Sequence, residues 1–287
     1  MNVNTLKLSR QEVSRLLGSL EPRPANLFWR GASPDMILAR PKVAFVGSRK
    51  ATAYGRTITD RLAGEIASAG AVIVSGLAFG IDSFSHRAAL EAGGLTVAVL
   101  PTPLDKITPA ANLWLASRII KGGGALVSEY PAGAEIHKVN FIARNRIVAA
   151  LADVLVITEA ARNSGSLHTA RFALEQGKTV MALPGNITSP ASEGCNNLIK
   201  SGAVPVTAAD DIFFALGIKP AKEKTISRIA GSGRQQKLFE LIAGGTAGQE
   251  ELVAASSLPA AEVSSALTDL ELRGLIRPAG GGQWIIR

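Results

Sequence analysis

Six short apolar runs set the frame of the chain: Val43–Val46, Val72–Val74, Thr96–Leu100, Ala125–Val127, Val154–Ile157 and Thr179–Leu183. Each is continuous rather than alternating, as in strands buried on both faces, and each is followed by enough residues for a crossover helix. The pattern predicts an α/β fold with a doubly wound, mostly parallel sheet. Ahead of it, Ser9 and Glu12 form a capping box for a short helix that Gly18 ends, and Pro22 and Pro24 then break the chain. Near the carboxy terminus, Arg234–Ala243, Gln249–Ala255 and Pro259–Arg273 read as three helices. Leu275–Arg277 and Trp284–Ile286 then pair across a Gly280–Gly282 turn, which completes a winged-helix pattern. The expected divisions are an amino-terminal extension over 1–38, a large α/β domain over 39–218, a basic linker over 219–232 and a small winged-helix domain over 233–287.

Sheets of this kind bind ligands beyond the carboxyl ends of their strands. The first run empties into Gly47, Ser48 and Arg49, where backbone amides and a forked, permanent positive charge suit a phosphate. Ser75, Gly76 and Gly80 repeat the device after the second run, with Asp82 close behind. Ser164, Gly165 and Ser166 repeat it beyond Glu159, ahead of Thr169, and Pro184–Gly185 make a fourth abrupt strand exit. Any one of these is compatible with ordinary turn chemistry; four on one edge describe an anion-binding rim. The segment Lys138–Arg146, K-V-N-F-I-A-R-N-R, adds Lys138, Arg144 and Arg146 to neutralise phosphates. Phe141 within it offers either a face on which a base stacks or a core contact for the helix that follows. Asn140 and Asn145 either read base edges or cap helices. Cations around an aromatic suit a single strand of nucleic acid.

The 287 residues, 47% of them hydrophobic, are ample for a large core, and the net charge is +8. The excess lies in the large domain and the linker, whose cations are Lys219, Lys222, Lys224 and Arg228; residues 233–287 hold five Lys/Arg against six Asp/Glu. The supposed recognition helix of the winged helix carries Glu262, Asp269 and Glu271 against Arg273, so it would repel phosphate and suits a protein contact instead. Cys195 is the sole cysteine, which excludes a disulfide framework, and three histidines with one cysteine argue against a zinc site. Met1–Leu20 has no continuous apolar run of a secretory signal or membrane span, so a cytoplasmic location is expected. Asp82 and His86, four apart on one helical face, are accounted for by an exposed ion pair or a cap. Ser48, Ser75 and Ser166 have no identifiable base beside them. Neither G-x-G-x-x-G nor a Walker lysine is present, so no cofactor is expected.

V-G-S-R-K-A-T-A-Y-G, S-G-L-A-F-G-I-D, Ser128–Glu129, F-I-A-R-N-R-I-V-A, S-G-S-L-H-T-A, and A-L-P-G with G-C-N-N-L-I occur in this order over the large domain. Together, with L-F-W-R-G at Leu27–Gly31 before them, they resemble the DNA processing protein A family (DprA or Smf). The resemblance implies a Rossmann-like domain, a homodimer, binding of single-stranded DNA, and hand-over of that strand to the recombinase RecA in natural transformation, without catalysis. It implies that Gly47, Ser48 and Arg49 hold phosphate, that Ser75, Gly76 and Gly80 line the adjoining turn, and that Lys138, Phe141, Arg144 and Asn145 fall in the strand-binding pocket. The chain departs from the family pattern in Ile142, where proline is usual, in Ala150–Ala152, and in the proline-rich Leu100–Trp114 loop. The alternative is a nucleotide-binding or nucleotide-processing enzyme of the lysine-decarboxylase-like group. Where that group carries its catalytic glutamate this chain reads S-G-S-L-H-T-A-R-F, which leaves Glu129 and Glu159 as distant candidate acids.

Overall fold

The computed structural model describes residues 5–218 and 233–286, and the chain falls into two compact units, Met1–Pro220 and Ala221–Arg287. The linker expected over 219–232 lies outside the described residues. Among the described residues of the first unit nine strands form one sheet: β1 (Leu6–Lys7), β2 (Phe28–Gly31), β3 (Lys42–Val46), β4 (Val72–Ser75), β5 (Thr96–Leu100), β6 (Ala125–Ser128), β7 (Val154–Ile157), β8 (Thr179–Ala182) and β9 (Val204–Pro205). Their order is β1-β2-β6-β5-β4-β3-β7-β8-β9; β3 to β9 are parallel, and β2 and β1 add an antiparallel edge. The six apolar runs are β3 to β8. The doubly wound, mostly parallel sheet is thus present, and β1, β2 and β9 extend it at both ends.

Nine α-helices among the described residues accompany the sheet: α1 (Arg10–Leu17), α2 (Pro34–Leu38), α3 (Ala53–Ser68), α4 (Ile81–Glu91), α5 (Leu113–Lys121), α6 (Val139–Leu151), α7 (Ser166–Glu175), α8 (Glu193–Lys200) and α9 (Ala209–Leu216). The capping box at Ser9 opens α1 as expected, with Ser9 N–H donating to Glu12 Oε2 at 2.7 Å. Alternate strand residues bury on opposite faces. Val43, Phe45 and Val156 join Leu62 and Ile66 of α3 and Ile212 of α9, whereas Ala44, Val46 and Ile157 join Leu16 of α1, Ile147 of α6 and Ala173 of α7. Full burial of each large aliphatic is worth about 1.5–3 kcal/mol, so both faces hold the strands in register.

From β3 the chain winds outward through β4, β5 and β6, then returns to lay β7 on the other side of β3. That reversal opens a crevice at the carboxyl ends of β3 and β7, where such sheets place their ligands.

The second unit comprises α10 (Gly233–Ala243), α11 (Gln249–Ser256) and α12 (Ala260–Leu272), followed by the hairpin of β10 (Ile276–Gly280) and β11 (Gln283–Ile286). Leu238, Phe239, Leu252, Val263, Leu267, Leu270 and Ile276 form its core, the arrangement of a winged helix. On α12, Glu262 pairs with Arg234 at 3.0 Å and Asp269 with Arg273 at 2.8 Å. No helix among the described residues is long and apolar enough to cross a membrane.

Candidate nucleic-acid interface

A cleft of about 560 Å³ opens at the reversal point. The β3–α3 turn supplies Gly47, Ser48, Arg49 and Lys50; the segment leading into α7 supplies Asn163, Ser164, Gly165 and Ser166, with Thr169 behind them. Phe141, Ile142, Arg144 and Asn145 of α6 form the wall between. A smaller hollow of about 170 Å³ adjoins it across Arg49, Phe141 and Arg144, and Phe79, Pro101, Thr108 and Pro109 line its far side. Phe141 faces solvent space rather than the core, and the Arg49 guanidinium lies over its ring at 5.7 Å from the centroid. Neither Arg49 nor Lys50 forms an ion pair among the described residues, so both charges are available to an anionic ligand.

The first turn is held from beneath. Ser48 N–H donates to the Glu159 carbonyl at 2.7 Å, and the Ser48 carbonyl accepts from Ile81 N–H at 3.2 Å. The Glu159 carboxylate, 2% exposed, accepts from Thr52 N–H and from Thr52 Oγ1 at 2.6 Å, fixing the start of α3. It therefore braces the turn and is not placed as a catalytic acid. Gly80 closes the contact between the first two turns. Its φ is +72°, and a Cβ there would overlap the Ser48 carbonyl oxygen.

The second turn is organised by two buried charged side chains, Asp82 and Arg144, whose separate holds on it spacing did not reveal. Asp82 Oδ2 accepts from Gly76 N–H at 3.1 Å and Ala78 N–H at 3.3 Å. The Arg144 guanidinium, 4% exposed, donates to the Gly76 and Val99 carbonyls and, through Nε, to Asn145 Oδ1 at 3.0 Å. It fills the space where a Cβ on Gly76 would stand. Asn112 Nδ2 donates to the Leu77 carbonyl at 2.8 Å and the Ala78 carbonyl at 3.3 Å, holding Leu77 at φ +58°. Burial pushes the Asp82 carboxyl up against the opposing pull of Arg144. Burial likewise pushes Arg144 down to about 10, with Asp82 opposing and Arg49 adding to the shift, so the guanidinium is charged at neutral pH.

Several expected ligands are turned to other work. Ser75 is fully buried and its hydroxyl donates to the Phe45 carbonyl at 2.6 Å, joining two strands instead of reaching the cleft. The Gly76 amide is taken by Asp82, and Gly80 serves as a packing contact. Arg146 pairs with Glu129 in a half-buried site away from the cleft, because two helix positions apart from Arg144 place it on the far side of α6. Lys138 is exposed at the start of α6 and does not line the cleft. The fourth turn is closed by α8: Gly185 N–H donates to Asn196 Oδ1 and the Gly185 carbonyl accepts from Asn196 Nδ2, both at 3.1 Å. Cys195 is buried, and desolvation pushes its thiol up to about 12, which removes it as a nucleophile at neutral pH.

Asp82 and His86 form no exposed ion pair; both are buried. His86 Nδ1 lies 2.6 Å from Thr96 Oγ1, whose own proton goes to the Ile73 carbonyl at 2.8 Å, so the imidazole donates from Nδ1. Burial, with Arg144 nearby, pushes His86 down from 6.5 to about 3. The native state keeps it neutral while the unfolded chain protonates it below pH 6.5, so unfolding takes up a proton and stability falls as pH falls. Between pH 6.5 and about 3 the expected slope from this residue is about 1.4 kcal/mol per pH unit. Urea denaturation across that window should show one fewer proton taken up by a His86→Gln variant, and identical slopes would refute the assignment.

The family model of DNA recombination-mediator protein A matches residues 4–217, and that of the DprA winged helix domain matches residues 220–282. The chain belongs to the DNA processing protein A family. It is 40% identical over 216 residues to DNA processing protein DprA of Bacillus subtilis, covering 75% of this chain and 71% of that protein. It is 39% identical over 252 residues to a DprA protein of Mycobacterium tuberculosis, covering 85% of this chain but 64% of that relative's length. Among solved structures, DprA of Streptococcus pneumoniae superposes with a TM-score of 0.65 at 36% identity, covering 74% of each chain. A structure describing the single-stranded DNA binding mode of DNA processing protein A from Helicobacter pylori gives 0.67 at 32% identity, covering 75% of this chain and 96% of that one. In this DprA family member the matched region contains the whole cleft.

Proposed function

We propose that this chain is a non-catalytic recombination mediator that binds single-stranded DNA along the cleft and hands the strand to RecA in the cytoplasm during natural transformation. The observation that carries the reading is the pair of unneutralised cations, Arg49 and Lys50, set against Phe141 at the topological reversal of the sheet. Phosphates meet Arg49, Lys50, the Ser48 hydroxyl and the turn at Ser164–Ser166, while a base stacks on Phe141 with Asn145 at its edge. Such contacts read the backbone and the π-face common to all bases, so little sequence preference is expected. The Helicobacter pylori relative, whose reported subject is single-stranded DNA binding, supports the same ligand. The carboxylates near the cleft favour mediation over hydrolysis, since Glu159 caps α3, Glu129 is paired and Asp82 holds a turn. A homodimer would present two clefts to one strand and raise avidity without new contacts. The winged-helix unit, whose α12 carries the acids Glu262, Asp269 and Glu271, is assigned a protein contact.

Anisotropy titration of oligothymidine, its duplex and dTMP across salt tests the reading. The single strand should bind far more tightly than the other two. Arg49→Ala should weaken it about tenfold or more, since a charged hydrogen bond is worth about 1.5–3 kcal/mol, and should flatten the salt slope by about 0.7 for one lost phosphate contact. An unchanged slope would remove Arg49 from the interface. Equal affinity for the duplex would overturn the single-strand assignment, and failure to speed RecA filament growth on coated DNA would overturn the mediator role.

A further inference from the structure

We propose that the α7 end of the cleft is a phosphomonoester site, which seats the terminal phosphate of a DNA strand or the phosphate of a mononucleotide. The inference rests on the single-strand reading and refines the ligand of that same cleft.

Ser166 and Thr169 stand three apart at the start of α7 and share one face of the helix. Ser164 precedes them, its Oγ 2.8 Å from Ser166 Oγ. Thr169 is 1% exposed on the cleft wall, and its hydroxyl oxygen has no hydrogen-bond partner among the described residues. That is unusual for a helical threonine. Thr59 returns its hydroxyl to the Gly55 carbonyl at 2.6 Å and Thr268 to the Ser264 carbonyl at 3.0 Å, whereas Thr169 makes no such bond to Gly165. A buried hydroxyl left unpaired asks for a partner, and the cleft is the place from which one can come. Gly165, at the cap, has nothing within 4 Å of where a Cβ would stand, so an anion can approach the positive end of the helix, where the Ser166, Leu167 and His168 amides already donate to Ser164 Oγ and to the Ser164 and Gly165 carbonyls and the hydroxyls are the donors left to a ligand.

Charge and donor count point to the monoester. A bridging phosphodiester carries one negative charge and two free oxygens. A terminal phosphate carries about −1.5 to −2 at pH 7 and offers three acceptor oxygens. Three hydroxyls beside the positive end of α7 and the unpaired Arg49 and Lys50 line this one cleft, and the carboxylate that also lines it, Asp82, is engaged by the Gly76 and Ala78 amides. That is more than an internal phosphate can use.

The test compares 5′-phosphorylated hexathymidine with unphosphorylated heptathymidine, which carries the same number of phosphate groups, and dTMP with thymidine. Expected is about a tenfold preference for the phosphorylated strand, or for dTMP over thymidine. Preference in the strand arm identifies a strand end as the source; preference confined to the nucleotide arm identifies a free nucleotide. Thr169→Val and, separately, Ser166→Ala should each cut the preference to within about twofold. Being a ratio of two dissociation constants, it is insensitive to a uniform loss of binding, and a circular-dichroism melt checks that each variant is folded. Equal affinities in both arms, or full preference retained in both variants, would overturn the phosphomonoester site while leaving the single-strand reading intact. Failure of heptathymidine to bind at all would count against the single-strand reading, and a dTMP preference would then still uphold the monoester site.

Discussion

Replacing Asp82 with alanine is expected to cost about 2–6 kcal/mol, because it leaves the Gly76 and Ala78 amides of a buried turn without an acceptor and removes a carboxylate that favours the charge on Arg144. For a unit of this size the calorimetric transition should fall by roughly 4–24 °C. Two amide bonds go with the charge, those from Gly76 and Ala78, so the second turn loses its internal anchor. Affinity for single-stranded DNA should fall too, even though the carboxylate is an unfavourable neighbour for phosphate. Asp82→Asn separates the contributions: its amide oxygen still accepts from the turn but cannot offset Arg144, and an intermediate loss is expected. An alanine variant melting within about 2 °C of the parent would show that Asp82 carries no such stability.

Gly80→Ala is expected to be nearly as damaging for a different reason. The residue sits at φ +72° and ψ −128°, a region in which side-chain-bearing residues are strained by about 1–3 kcal/mol. Its Cβ would also press on the Ser48 carbonyl and the Arg49 backbone, and overpacking of this kind adds about 1–3 kcal/mol. Relief requires the first turn to move, and that displaces Arg49 from Phe141. Melting temperature and strand affinity should therefore fall together. Gly165→Ala is the contrast for stability: φ is −60° and the space is open, so melting should change by less than about 2 °C. Equal melting temperatures for the two variants would show that the Gly80 contact imposes no strain.

The parallel part of the fold was legible because strands buried on both faces have no polar positions to interrupt them, and β3 to β8 stand out as unbroken apolar runs. β2 was not, since Phe28–Gly31 mixes Trp29 with Arg30 at an antiparallel edge, and two-residue β1 and β9 carry no pattern. In the site, Gly47–Arg49 and Ser164–Ser166 follow from strand exits alone. The braces do not. Thr52 and Glu159 are 107 residues apart, Asn112 lies 35 residues from the Leu77 carbonyl it holds, and nothing local marks either pairing. Asp82 did leave a trace, as an acid in the first turn of a helix just after a glycine-rich exit. Helical geometry also separates Arg144 from Arg146: two positions turn about 200°, so both guanidinium groups cannot serve one cleft.

Both margins of the large sheet taper to strands of two residues, Leu6–Lys7 at one side and Val204–Pro205 at the other, and the latter includes a proline that has no amide hydrogen to donate. A neighbouring molecule finds too short a ladder there to zip onto. Stacking of sheets margin to margin, the route by which strand-rich proteins grow into fibrils, is thereby denied a starting point at either side.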